Sequence, residues 1–162
     1  MGPGHFGVAF AAKKIAPKAP LGVLLVASEA LDLLCFGFAA TGIEKFAVSE
    51  TTFANGIRII VPGYIPWSHG LLMSIVWSLA AASIAWLVYR NMRTGGMIGL
   101  VVFSHWVLDF IVHLPDLPLL FKNSPVVGLG LWGTGHGLIL SGLLEIGLLV
   151  TGIIMYRNRR KK

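Results

Sequence analysis

With 162 residues, of which 56% are hydrophobic and only 12% charged, the chain has a mean hydropathy of +0.79, well outside the range of an ordinary soluble domain. The formal net charge of +6 comes from basic residues at the ends of apolar segments, so it indicates membrane topology and argues against nucleic-acid binding. The single cysteine, Cys35, excludes a disulfide framework within the chain.

The N-terminal segment is apolar but too short to cross a bilayer. Its sequence, MGPGHFGVAFAAKKIAPKAP, places the lysines after the apolar stretch, which is the reverse of a cleavable signal peptide. Gly4–Ala16 ends close to the pair Lys13 and Lys14. We therefore expect a short helix that either lies flat on the cytoplasmic face or enters the membrane as a re-entrant helix.

Four apolar stretches are long enough to cross a hydrocarbon core of about 30 Å, which takes roughly 20 residues. In chain order they are Leu21–Ile43, Ser68–Arg90, Gly95–Leu114 and Val126–Tyr156. The last is long enough to begin with an irregular, glycine-rich approach. These stretches predict an all-α integral membrane protein, a four-transmembrane-helix bundle that forms one membrane domain over residues 1–162.

The basic residues indicate how the bundle is oriented. They cluster before the first span, after the second and after the fourth, whereas Glu44–Trp67 and Pro115–Pro125 carry few. By the positive-inside rule, both termini and the Asn91–Thr94 turn are expected on the cytoplasmic side of a cell inner membrane, in a multi-pass topology. The Glu44–Trp67 loop is amphipathic enough to lie on the opposite membrane surface.

Several ionisable side chains fall inside or beside the predicted spans. A charge at the centre of such a helix costs roughly 2.5–3.5 kcal/mol, so these groups are expected to face the bundle interior and to mark function. They are Glu29, Asp32, His69, His105, Asp109, His113, His136 and Glu145. His105, Asp109 and His113 follow one another at intervals of four residues, which places them along one face of a helix.

A buried mixture of imidazoles and carboxylates without a thiolate is typical of a hydrolytic metal site. Zn²⁺ is the first candidate, with Mn²⁺ or Mg²⁺ behind it, because imidazole suits zinc and carboxylates suit the harder ions. The same residue types also build proton relays in transporters, and a single His in a membrane helix more often bonds to a neighbouring helix. Residue types alone leave these alternatives open.

Four short motifs together resemble one known family. GHFGVAFAA stands near the start, an Asp lies in the first span, WSHGLLMS opens the second, and SHWVLD followed by LPDLPLL closes the third. Over roughly residues 4–120, this order resembles the YdjM-like membrane-bound metal-dependent hydrolases. The resemblance implies metal ligands at His5, Asp32, His69, His105 and Asp109.

The chain departs from the family pattern at two of these motifs. SEALDLLCFG lacks the Pro and His that usually surround the acidic ligand, and only SHGLLMS remains of a longer His motif. The ligand order also has a distant similarity to zinc-dependent phospholipases C and single-strand-specific nucleases, with His113 and His136 continuing the series. That second pattern would place an Asp four residues after His136, where this chain has Leu140.

The implied ligands are not all expected at one membrane depth. Helical rise places Asp32 about 17 Å and His105 about 15 Å from the cytoplasmic ends of their spans, near the membrane centre. A re-entrant N-terminal helix would carry His5 to a similar depth. His69 and His113 are expected nearer the outer surface, so a compact site requires a tilted cluster or a loop that folds back into the bundle.

Together these features predict a membrane-embedded metal-dependent hydrolase that acts on a phosphoester or another ester of a membrane lipid, with no nucleic-acid partner. His113 and Glu29 are the candidate catalytic residues, as further ligands, as partners that hold a ligating His in one tautomer, or as a general base. The alternatives are a small transporter of protons or divalent cations and a non-catalytic accessory or scaffold subunit.

Overall fold

The structure is a computed structural model that describes residues 2–45, 63–121 and 123–158. The α-helices within these ranges are α1 (Gly4–Ile15), α2 (Leu21–Ser28), α3 (Ala30–Ala40), α4 (Leu71–Tyr89), α5 (Met92–Val112) and α6 (Gly135–Asn158). Between α5 and α6, two short antiparallel strands, β1 (Leu117–Pro118) and β2 (Val126–Val127), precede a 3-10 turn at Leu131–Gly133. Leu117 pairs with Val127 and Pro118 with Val126. The all-helical class predicted from the sequence is confirmed.

Three helices, α4, α5 and α6, are long and apolar enough to cross a membrane. The pair α2 and α3 together also passes that test, so the number of spans rises to four if this bent pair crosses as one. Of the most apolar window of each helix, only 17% of α4 and 11% of α6 is buried inside the protein, against 50% of α5. The large exposed apolar surfaces indicate membrane association, with α5 as the central helix.

The first predicted span, Leu21–Ile43, is not one continuous helix. It bends by 56° at Glu29, whose backbone N–H donates to the carbonyl of Val26, three residues back instead of four. The Ser28 hydroxyl also donates to a carbonyl in its preceding turn, which is known to bend helices. The freed carbonyl of Ser28 accepts a hydrogen bond from His105 on α5, so a tertiary contact satisfies the backbone at the break.

The other boundaries shift by a few residues from the predictions. The turn predicted at Asn91–Thr94 is mostly helix, because α5 starts at Met92 and the Asn91 side chain caps it by accepting from the Thr94 N–H at 2.9 Å. The preceding chain reversal occurs at Arg90, which adopts a left-handed conformation with φ of 51°. The glycine-rich approach to the last span is confirmed, since α6 itself begins only at Gly135. Of the Glu44–Trp67 loop, residues 46–62 lie outside the described ranges.

Two pairs of helices approach closely through glycines. At Gly99 of α5, an added Cβ would lie 2.7 Å from the Ser78 carbonyl oxygen of α4, closer than real Cβ atoms come. At Gly7 of α1 and Gly152 of α6, an added Cβ would overlap the backbone of the facing helix. Helix α1 lies along α6 and runs in the same direction, since the Gly2 N–H donates to Glu145 at 3.1 Å and the ring of Phe10 contacts that of Tyr156 further along both helices. The N-terminal end of α1 is therefore beside the middle of α6.

Candidate metal centre

The structure brings together all five metal ligands implied by the resemblance, from four separate segments of the chain. His5 comes from α1, Asp32 from α3, His69 from the loop before α4, and His105 and Asp109 from α5. Two overlapping groups of three have their potential ligand atoms within 4.8 Å of one another. One group contains His5, His105 and Asp109, and the other contains Asp32, His69 and His105.

In four of these side chains, one nitrogen of each of two imidazoles lies near one oxygen of each of two carboxylates, and we call this set the inner four. The atoms are Asp32 Oδ1, His69 Nε2, His105 Nε2 and Asp109 Oδ2. His69 Nε2 lies 3.2 Å from the Asp32 oxygen and 3.5 Å from the Asp109 oxygen. His105 Nε2 lies 3.4 Å and 3.2 Å from the same two oxygens. Each imidazole of the inner four thus faces both carboxylates at nearly equal distances.

His5 is outside the inner four but contacts two of its members, Asp109 and His105. Its Nε2 is 3.5 Å from Asp109 Oδ1, whereas the Nε2 atoms of His69 and His105 lie 3.5 Å and 3.2 Å from Asp109 Oδ2. Its ring stacks on that of His105, with centroids 3.9 Å apart and planes 5° from parallel. His5 is placed to bind or orient the outer oxygen of Asp109.

Local structure explains how three of these side chains reach the cluster. His105 and Asp109 are one turn apart on α5, so they project from the same face of that helix. Asp32 lies in the first turn of α3, immediately after the break, and the bend at that break directs α3 differently from α2. A straight helix through Glu29 would carry Asp32 to a different place.

His69 reaches the cluster because its loop folds into the bundle. The neighbouring Ile65 and Ser68 are buried, and the His69 N–H donates to the Ile65 carbonyl at 3.0 Å. The indole N–H of Trp106 on α5 donates to the His69 carbonyl at 2.9 Å. The membrane depths expected from the sequence require either a tilted cluster or a loop folded back into the bundle, and the structure has the folded loop.

The protonation of the His105 ring follows from its outer hydrogen bond. Its Nδ1 lies 2.7 Å from the Ser28 carbonyl oxygen, and a carbonyl can only accept, so Nδ1 carries a proton. In the neutral ring, Nε2 then holds a lone pair directed at the two carboxylates. Among the atoms that the structure describes, this Nε2 has no hydrogen-bond partner. A lone pair facing two carboxylates within about 3.5 Å is unfavourable, so this position requires a positive charge, either a bound cation or a second proton on the ring.

The cluster is closed on most sides and open at one residue. The side chains of His5, His69, His105 and Asp109 are between 0% and 4% exposed, whereas that of Asp32 is 38% exposed. Any small molecule that reaches the cluster would first meet the Asp32 side.

Four other ionisable residues singled out in the sequence belong to neither group. Glu29 stands in the helix break, and its Oε1 is buried without a hydrogen-bond partner in the described part of the chain. His113 ends α5, where Asp116 Oδ1 lies 3.1 Å from its Nδ1. His136 is exposed on α6, and Glu145 accepts from the backbone near the N-terminus.

Sequence reasoning missed two residues that support the cluster. Ser68 is fully buried beside His69, with its Oγ 2.9 Å from His69 Nδ1. Glu44, expected in a loop on the membrane surface, is instead 2% exposed and accepts hydrogen bonds from Ser68. A polar residue next to the motif histidine was a visible signal for Ser68. No local pattern links Glu44 to it, because 24 residues separate them.

Compared with known proteins, the chain matches no family model, no curated protein and no solved structure. The fold and the cluster define its class as a helical, membrane-associated protein with a buried His/Asp group able to hold a metal ion. The resemblance to the YdjM-like hydrolases stays a prediction.

Proposed function

We propose that this protein is a membrane-embedded metal-dependent hydrolase that acts on a phosphoester or another ester of a membrane lipid. The observation that carries the proposal is the spacing of the inner four. Their four nitrogen-to-oxygen separations all fall between 3.2 and 3.5 Å.

That spacing has a simple geometric meaning. Ligands at roughly 2.0–2.2 Å from a tetrahedral zinc ion are about 3.3–3.6 Å from one another. An octahedral magnesium ion, with ligands at roughly 2.0–2.1 Å, would bring neighbouring ligands to about 2.8–3.0 Å. A direct N–H to oxygen hydrogen bond also has its commonest length near 2.9–3.0 Å. The separations therefore favour Zn²⁺ at the centre of the inner four, with Mn²⁺ and Mg²⁺ as weaker candidates.

Charge balance supports the same assignment. Asp32 and Asp109 place two carboxylates in a largely dehydrated cluster, and uncompensated buried charge is costly. A divalent cation would neutralise both carboxylates while the imidazoles remain neutral ligands. The donor set of the inner four thus fits a divalent metal in number, type and charge.

The chemistry follows from this placement. A bound divalent metal supplies a Lewis acid that polarises an ester and favours ionisation of an attacking water. Glu29 is close enough to interact electrostatically with Asp32 and His105, and we assign it the role of proton acceptor. His113, whose Nδ1 is held by Asp116, has Nε2 left for proton transfer and is the second candidate for that role.

The surroundings of the cluster favour a membrane-borne substrate. The outer faces of α4 and α6 carry large exposed apolar side chains, so the cluster is enclosed in a bundle that contacts lipid. The contacts of α1 with α6 hold His5 beside the cluster. They therefore favour a re-entrant helix over one that lies flat on the membrane. A lipid ester could approach from within the bilayer, past the partly exposed Asp32.

The first test is metal content. Protein purified in detergent without chelator should contain zinc or manganese by elemental analysis, and the His105→Ala, Asp109→Ala double variant should lose it. His136→Ala, which alters an exposed His outside the cluster, is the matched control and should keep its metal. Wild-type protein without metal would refute the metal centre.

The second test is activity. Metal-loaded protein incubated with vesicles of mixed phospholipids should release products that mass spectrometry detects, and the double variant should not. Metal without any lipid product would refute the hydrolase assignment while leaving the metal centre in place.

One observation favours a second function. Transporters bind ions where a membrane helix is broken, and here the break between α2 and α3 lies directly beside the cluster. A transporter of divalent cations or protons would produce flux in proteoliposomes. Bound metal at about one or two equivalents without flux would exclude this second function. An accessory subunit would instead show only an assembly defect in the double variant.

A further inference from the structure

A buried carboxylate lies one step outside the cluster, on the side of His69. Glu44 Oε1 accepts from the backbone N–H groups of Trp67 at 2.8 Å and Ser68 at 2.9 Å. Glu44 Oε2 accepts from the Ser68 hydroxyl at 2.7 Å. The thiol of Cys35 is also close to both Glu44 and Ser68. The two backbone N–H groups and the Ser68 hydroxyl thus give this carboxylate three hydrogen-bond donors.

The direction of these hydrogen bonds determines the protonation of His69. A serine hydroxyl has a single proton, and a carboxylate can only accept, so the Ser68 proton is directed to Glu44. Toward His69, the Ser68 oxygen can then only accept. His69 Nδ1, 2.9 Å away, must donate, which leaves the lone pair of the neutral ring on Nε2. That Nε2 is the atom facing Asp32 and Asp109.

We infer that Glu44 is a positioning residue that fixes the tautomer of His69 through Ser68. It does for His69 what the Ser28 carbonyl does for His105, by an independent route. The effect on metal binding rests on the proposed metal centre. The tautomer itself does not, so the two can be tested separately.

The Glu44→Gln substitution should reverse the chain of hydrogen bonds with little change in shape. The Gln carbonyl can still accept from the two backbone N–H groups, and its amide then donates to the Ser68 oxygen. The Ser68 proton turns to His69 Nδ1, which moves the ring proton to Nε2, inside the cluster. The matched control is Asp116→Asn, which alters a carboxylate that is bonded to His113 and lies outside both ligand groups.

Nitrogen NMR of the full-length protein in detergent measures the tautomer directly. With ¹⁵N-labelled histidine and no metal, above the usual pKa of imidazole, long-range proton–nitrogen spectra distinguish the two ring forms. The His69 signal is assigned by its loss in His69→Asn. We expect protonated Nδ1 in the wild type and in Asp116→Asn, and protonated Nε2 in Glu44→Gln. A wild-type ring protonated on Nε2, or no change in Glu44→Gln, would overturn the inference.

Zinc titration gives the second readout. Loss of a partner that orients a ligand typically weakens metal binding by about 10–100-fold, and we expect that range for Glu44→Gln and no change for Asp116→Asn. Ser68→Ala should have a smaller effect, because it removes the orienting group without turning the ring. A larger loss in Ser68→Ala than in Glu44→Gln would contradict the reversal. If wild-type protein binds no zinc, the proposed function fails, while the NMR result still decides the tautomer.

Discussion

Asp109→Asn is the sharpest test of how much the cluster depends on one charge. Asp109 is 2% exposed, and its two oxygens face His5 on one side and two imidazoles of the inner four on the other. Asn has nearly the same size, so packing around α5 should change little. What it removes is the negative charge and one of the two carboxylate oxygens. The expected loss is therefore in metal binding and not in the apo fold.

The magnitude follows from linkage between binding and stability. At a zinc concentration of about 1,000 times the dissociation constant, bound metal adds about 4.1 kcal/mol to the free energy of unfolding. A 100-fold weaker site keeps only about 1.4 kcal/mol of this at the same concentration. For a chain of this size, 1 kcal/mol corresponds to roughly 2–4 °C in melting temperature. Zinc should raise the wild-type melting temperature by about 8–16 °C and that of Asp109→Asn by about 3–6 °C.

Thermal unfolding in detergent, followed by the fluorescence of the five tryptophans with and without zinc, measures this difference. The matched control is Asp116→Asn, which changes a carboxylate bound to His113 outside the two ligand groups. Its zinc-induced shift should equal that of the wild type. An undiminished shift in Asp109→Asn would show that zinc stabilises the protein from another place and would refute the assignment of the inner four.

Three further substitutions test the parts of the fold that hold the cluster. Gly7→Val would place a side chain inside the backbone of α6, so we expect α1 to detach and the metal content, measured by elemental analysis, to fall. Gly147→Val, whose side chain would enter open space, is the control and should keep its metal. Trp106→Phe removes the indole donor to the loop that carries His69, so it should lower the free energy of unfolding by about 1 kcal/mol and weaken zinc binding. Trp86→Phe, at an exposed position, is its control in the same thermal assay. Asn91→Ala removes the cap of α5 and should lower stability by about 1 kcal/mol without changing metal content.

The sequence indicated which polar residues come together better than it indicated the path of the chain. His105 and Asp109 were visible because spacing of four residues on a helix is a local property. His5, Asp32 and His69 came from the resemblance, and the structure places them beside that pair. Their polarity inside an apolar chain was already a sign that they face protein.

The break at Glu29 was not predictable, because no Gly or Pro marks it. Apolar composition alone favours a straight span over this segment. The bend depends on the Ser28 carbonyl finding a donor on His105, which is 77 residues away. The folded loop at His69 has the same origin, since the Trp106 indole that holds it belongs to another helix.

What the sequence determined by itself is the class of protein, since hydropathy and helical periodicity are set by neighbouring residues. It also determined which side chains are too polar to face lipid. Only the tertiary structure decided where those side chains meet, in which direction their hydrogen bonds run, and that Glu44 supports them. These features depend on contacts between residues far apart in the chain, as between Glu44 and Ser68, and a contact of that kind has no local pattern.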